Sequence, residues 1–141
     1  MKLVRVSLLS LIVSLTFTDV AFAANYDVRF KLNSTGTYES LQFNVNYSTA
    51  SGDFVGTGSA VTCTVNSTLN AMGAFNDVGS ILTQGFIATS GVAGPVQVAN
   101  CTFSASSAPS PSAFAVTITD WSSVGGSATP NVSVSSVVLI P

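Results

Sequence analysis

The stretch SLQFNVNYS, residues 40–48, decides how the chain is interpreted. Leu41, Phe43, Val45 and Tyr47 alternate with four polar residues: Ser40, Gln42, Asn44 and Asn46. In an extended backbone, successive side chains point to opposite faces, so this stretch predicts a strand with one apolar face and one polar face. The apolar row needs a second sheet to cover it, whereas the polar row is free to meet water or a partner.

Similar short rows recur along the rest of the chain at intervals of roughly ten residues. They predict strands at 25–33, 54–55, 61–66, 80–90, 96–105, 114–121 and 131–140, while 71–77 stays unassigned. We expect a bulge at Gly85 and an extra residue near Asn100, where the alternation slips. Residues 104–112 (SASSAPSPS) are expected to form a surface loop within one domain. Together these segments predict an all-β sandwich of eight to nine antiparallel strands.

The first 23 residues have the features of a signal peptide. Lys2 and Arg5 precede an apolar run at 8–17, and Ala21-Phe22-Ala23 has small residues where a signal peptidase cuts. The run is too short and too interrupted to cross a bilayer, and no later stretch is apolar enough to do so. We expect a leader helix removed after Ala23, and a single domain at 24–141 that is secreted to the periplasm or the extracellular space.

Charge argues against a nucleic-acid partner. Residues 24–141 contain two basic side chains, Arg29 and Lys31, and five acidic ones, which gives a formal charge of −3. Binding to a polyanion depends largely on Lys and Arg neutralising phosphates, and two neighbouring cations cannot do this.

Cys63 and Cys101 are the only cysteines, and both lie in the part predicted to be exported. An oxidising compartment favours their pairing, and closing this loop is worth about 4 kcal/mol on the chain-entropy model. Zinc is the alternative, but two thiols in a chain without histidine make a poor site. We predict a disulfide and no metal.

Residues that could carry out catalysis are few. Because the chain has no histidine, it lacks the most common general base, every Ser-His or Cys-His pair and every HExxH zinc site. The five acids of residues 24–141 fall at strand ends and turns, where Asp ordinarily caps and is solvated. We expect no enzymatic activity and no cofactor.

Carbohydrate binding is the alternative that needs most consideration, since sugars stack on exposed aromatic rings. Trp121 is the only tryptophan, and Tyr38 could join it in a small platform. The competing interpretation is that Trp121 belongs to the sandwich core or its edge.

Three stretches together resemble the cohesin domains. LQFNVNY (41–47) followed by GDFVG (52–56) looks like the family's alternating strand that ends in Tyr, SILTQGFIATSG (80–91) is similar to its central strand, and PVQVANCTFSA (95–105) to a later one. The resemblance covers about residues 26–141. It implies a nine-stranded jelly roll, related to carbohydrate-binding modules, that binds dockerin domains without catalysis. Residues 40, 42, 44 and 46 correspond to a strand of the dockerin-binding face, with Ser40 and Gln42 at positions that are often Asn and Asp.

The functional expectation is a secreted, monomeric or weakly associating binding module. Its partner is a dockerin-like protein or, alternatively, a polysaccharide. A third possibility is a fimbrial or surface-structural subunit, although alternating rows at both ends of the chain suggest a sandwich that supplies all of its own strands.

Overall fold

A computed structural model describes residues 22–141, so the predicted signal peptide lies outside the described residues except for its last two positions. This part of the chain contains nine β-strands, two short 3₁₀ turns and no α-helix, and therefore no helix that could span a bilayer. The strands are β1 (Ala24–Leu32), β2 (Thr37–Asn46), β3 (Gly52–Phe54), β4 (Cys63–Val65), β5 (Met72–Val78), β6 (Ile81–Ala93), β7 (Val96–Ala105), β8 (Ala115–Ser123) and β9 (Val132–Leu139).

The strands form two antiparallel sheets, which confirms the all-β prediction. In sheet A the order is β3-β7-β1-β9. Strand β4 also belongs to sheet A and pairs with a different part of β7, residues 99–101, from the part that pairs with β3. In sheet B the order is β5-β6-β2-β8. Strand β2, which contains most of the SLQFNVNYS stretch, lies between β6 and β8. The stretch that decided the sequence interpretation is thus an interior strand of its sheet.

The core lies between the two sheets and follows directly from the alternation. Val28 and Phe30 of β1 and Phe43 and Val45 of β2 are fully buried, and the rings of Phe30 and Phe43 meet across the layers with centroids 6.0 Å apart. Burying each such side chain stabilises the fold by roughly 1.5–3 kcal/mol. A second aromatic group closes one end of the sandwich: Tyr47, Phe54, Phe103 and Phe114.

The predicted disulfide is present. Cys63 of β4 and Cys101 of β7 are directly paired in the strand register and bonded to each other, and Cys101 is buried. The bond fixes the three-residue strand β4 to sheet A.

Of the two strand irregularities expected from the sequence, one is wrong and one is present. Gly85 is not a bulge, because it pairs in unbroken register with Gln42 on one side and Ala74 on the other. The extra residue expected near Asn100 is Val98, since Phe30 and Lys31 of β1 pair with Ala99 and Gln97. Residues 71–77, which the sequence left unassigned, fall almost entirely in strand β5.

A hydrogen-bonded cluster joins the two sheets beyond the end of β2. The Tyr47 hydroxyl oxygen lies 2.7 Å from Asp53 Oδ1 on β3 and 2.8 Å from Asp77 Oδ1 on β5. It also lies 2.6 Å from the Gly79 carbonyl oxygen. The hydroxyl has one hydrogen, so Asp53 Oδ1, Asp77 Oδ1 and the Gly79 carbonyl oxygen compete to accept it. Burial and the neighbouring Asp53 raise the pKa of Asp77, although the Tyr47 hydrogen bond opposes them.

Candidate functional face on sheet B

The four polar residues predicted to face a partner lie together on the outward row of β2. Gln42 and Asn46 are exposed, whereas Ser40 and Asn44 are half-buried. Ser40 Oγ is 2.8 Å from Ser122 Oγ, Thr83 Oγ1 donates to Asn44 Oδ1 at 2.9 Å, and Asn46 Oδ1 accepts from the Ser48 backbone N–H. We call these four residues the polar row; its prediction as one outward row agrees with the strand geometry.

Beside the polar row, the same face carries exposed apolar side chains that the sequence analysis did not single out. Met72 and Ile87 are opposed in register at one end of the β5–β6 pair, and Val78 and Ile81 at the other. Their exposed fractions are 76, 60, 66 and 36 per cent, respectively. We call these four residues the apolar patch.

The apolar patch explains why residues 80–90 have apolar residues on both faces. Such a pattern is typical of a central or well-covered strand, and β6 does lie between β5 and β2. Within the described chain, however, nothing covers its outer face: Leu82, Phe86 and Ala88 point into the core, while Ile81 and Ile87 are exposed. Exposed apolar side chains of this kind, here two pairs at opposite ends of β5 and β6, often mark an interaction site.

A groove of about 450 Å³ lies between one end of the apolar patch, at Met72 and Ile87, and one end of the polar row, at Ser40 and Gln42. It exists because Gly85 has no side chain where its neighbours in the sheet do, and a Cβ built there meets no atom within 4 Å. Met72 and Ile87 line one side, and Gln42 and Asp120 line the other. Because Gln42 pairs with Gly85 and with Asp120 across the sheet, these three residues form one line across the groove.

The strands of sheet B carry acidic side chains and no basic ones. Glu39, Asp77 and Asp120 lie on β2, β5 and β8, respectively, whereas Arg29 and Lys31 both lie on β1 in sheet A. Asp120 is exposed beside the groove. Asp77 is buried, so the acidic groups exposed on sheet B are Glu39 and Asp120, and they favour a partner that contributes positive charge.

The predicted sugar-stacking platform is not assembled. Tyr38 is only 2 per cent exposed and its hydroxyl donates to the Ala128 carbonyl, so neither face of its ring is free. Trp121 is half-buried against the core and meets Tyr38 edge-on, with ring centroids 6.2 Å apart. A bulge at Glu39 turns Tyr38 inward, because Tyr38 and Ser40, two residues apart, pair with consecutive residues of β8. This matches the alternative in which Trp121 is an edge tryptophan of the core.

Among residues 22–141, no group of three or more His, Cys, Asp or Glu side chains is arranged to hold a metal ion. No protein-family model, curated protein or solved structure matches the chain. The resemblance to cohesins consequently depends on the quoted stretches of sequence.

Proposed function

We propose that the protein is a secreted, non-catalytic binding module of the cohesin type, with a jelly-roll sandwich, that recognises a dockerin-like protein through the outer face of sheet B. The observation that carries the proposal is the pairing, on one exposed face, of the apolar patch with the polar row. Protein interfaces combine a central apolar area with hydrogen-bonding groups around it, and this face offers both.

Three further observations support the proposal. Nine strands in two sheets is the number that the cohesin resemblance implies. The strand that corresponds to the family's dockerin-binding strand is β2, which lies inside this face rather than at its margin. The Cys63–Cys101 bond is compatible with an oxidising compartment and hence with export after a cut near Ala23.

The two other functions have less support. A carbohydrate-binding module depends on the stacking platform, and burial of Tyr38 leaves only part of Trp121 to form it. A fimbrial subunit that receives a donated strand needs a gap in its sheet, but β1 and β9, at the two ends of the described chain, pair with each other inside sheet A. We therefore propose a protein partner and a monomeric or weakly associating module.

A pull-down from the secreted proteins of the producing organism tests the face. The Gln42→Arg, Asn44→Arg double variant places two long cations on the polar row and is expected to lose the captured partner. A matched control, Asn25→Arg with Thr62→Arg, adds the same charge at two exposed positions on or beside sheet A whose side chains make no hydrogen bond within the described residues, and it should retain the partner. Equal capture by the wild type and the polar-row variant would remove this face from the proposal.

A further inference from the structure

The groove beside Gly85 is a concave part of the exposed face, and it has two chemically different walls. Met72 and Ile87 offer apolar surface, and the unbranched Met side chain can adapt to what it contacts. A residue that fills a pocket near the centre of an interface usually contributes far more binding energy than its neighbours. The groove is therefore where an apolar side chain of the partner gains most by being buried.

The opposite wall has unused hydrogen-bonding capacity. Asp120 Oδ1 accepts one hydrogen bond, from the Trp121 backbone N–H at 2.9 Å, and its other lone pairs face solvent. Within the described residues, the exposed Gln42 side chain has no hydrogen-bond partner. An exposed carboxylate without a cation on its own sheet favours a Lys or Arg from the partner, since charge-assisted hydrogen bonds are the stronger ones.

We propose that this groove is the anchor site for the protein partner: it receives a large apolar side chain over Gly85, while Asp120 pairs with a Lys or Arg next to that side chain in the partner. The inference depends on the proposed function, because it specifies which segment of a protein the face recognises. It adds a partner chemistry that the polar row alone does not define.

Gly85→Val is the most direct test, because it fills the groove from its floor. The structure leaves room for the new side chain, and Val is favoured in strands, so the variant is expected to fold. Gly85→Ala, a smaller filling, is the second variant in case Val disturbs the sheet. Thr117→Val is the control, since it places a Val side chain at an exposed position on the same face without filling the groove. Far-ultraviolet circular dichroism and thermal unfolding check that each variant is folded.

The probe is a random linear peptide library displayed on phage and selected on the immobilised wild-type domain. Enriched peptides should carry a large apolar residue next to Lys or Arg. They should bind the Thr117→Val variant as well as they bind the wild type, and the Gly85→Val variant at least about tenfold more weakly. Asp120→Asn should weaken them about three- to tenfold and reduce the salt dependence of binding.

Three results would overturn the inference: no enrichment over the starting library, enriched peptides without a basic residue, or equal binding to the wild type and the Gly85→Val variant. Its failure can be told apart from failure of the proposed function. If the polar-row variant loses the secreted partner while Gly85→Val still captures it, the face is the binding site but the groove is not its anchor.

Discussion

The outer faces of the two sheets are built from the same alternating pattern, but their side chains differ in how many hydrogen bonds they make to one another. On sheet A, a chain of hydrogen bonds crosses three strands: Thr64 Oγ1 donates to Asn100 Oδ1, and Asn100 Nδ2 donates to Asp27 Oδ1. Arg29 Nε completes it by donating to Asp27 Oδ2 at 2.7 Å. On sheet B, Gln42 has no such partner in the described chain, and the apolar patch is exposed beside it.

The difference separates a face whose polar side chains are bonded to each other from a face whose groups remain available to a partner. Thr64, Asn100, Asp27 and Arg29 of sheet A are bonded to one another, so a partner over these four side chains would have to replace existing hydrogen bonds. Those of sheet B leave apolar area and hydrogen-bonding groups that a partner could cover at little cost. Polarity alone would have suggested sheet A as the binding face, because the only ion pair in residues 22–141 lies there.

Removing the disulfide should produce the largest effect and should act through sheet A. The Cys63→Ala, Cys101→Ala double variant is expected to lose about 4 kcal/mol of unfolding free energy, because the unfolded chain is no longer constrained across a separation of 38 residues. Urea denaturation of the variant, compared with the disulfide-bonded wild type under non-reducing conditions, measures this loss, and the reduced wild type should be about as unstable as the variant. Peptide or partner binding by the folded fraction should be unchanged, since neither cysteine lies in sheet B; a loss under about 1 kcal/mol would contradict the prediction.

A pair of aspartate substitutions tests the comparison of the faces directly. Asp27→Ala removes the acceptor that holds Arg29 and Asn100 and should lower the unfolding free energy by about 1–2 kcal/mol. Asp120→Ala, on the other face, should change it by no more than about 0.5 kcal/mol, because its side chain is exposed and bonds only to its own neighbour's backbone.

Chemical denaturation of both variants at one pH and ionic strength provides the measurement. For binding, the order should reverse: Asp120→Ala should weaken the selected peptides and Asp27→Ala should not. Equal stability losses at the two positions would show that the faces are not as different as their hydrogen bonds indicate.

The sequence was sufficient for the features that depend on local alternation. The strand at β2 and its inward and outward residues from Ser40 to Asn46 follow from a two-residue period. Tyr38 was predicted to face outward, but the bulge at Glu39 reverses the inward–outward alternation, and nothing in the sequence TYES indicates a bulge.

The groove was missed for a different reason. It arises where Gly85, Gln42 and Asp120, from three strands, lie in one line across the sheet, and this depends on strand order and register, which the sequence does not give. Strand β5 was left unassigned because its outward residues Met72 and Ala74 are themselves apolar or small, so MGAFNDV shows no clean alternation.

The acidic residues of the two sheets give the last and smallest contrast. Asp27 has a cation beside it, whereas Asp77 meets only Asp53 and the Tyr47 hydroxyl, and it is buried. Its pKa in the folded state is raised by burial and by Asp53, so the folded protein holds this proton more tightly than the unfolded chain does. The stabilisation is therefore complete below about pH 4, the ordinary range of an aspartate, and is lost as the pH rises through the folded-state pKa.

We accordingly expect the wild type to lose stability relative to Asp77→Asn as the pH rises from about 4 to 7, with a slope below about 1.4 kcal/mol per pH unit, the limit for one proton. Tyr47→Phe removes the one hydrogen bond that lowers the pKa of Asp77, so it should extend the loss to higher pH. Burial and the two carboxylates raise the pKa of Tyr47 itself, so its hydroxyl stays protonated throughout. Urea denaturation of the three proteins across this pH range measures the effect. If the unfolding free energies of the wild type and Asp77→Asn change with pH in parallel, Asp77 binds its proton equally in the folded and unfolded states. In that case the hydrogen bond from Tyr47, which lowers the pKa of Asp77, offsets the effects of burial and of Asp53, which raise it.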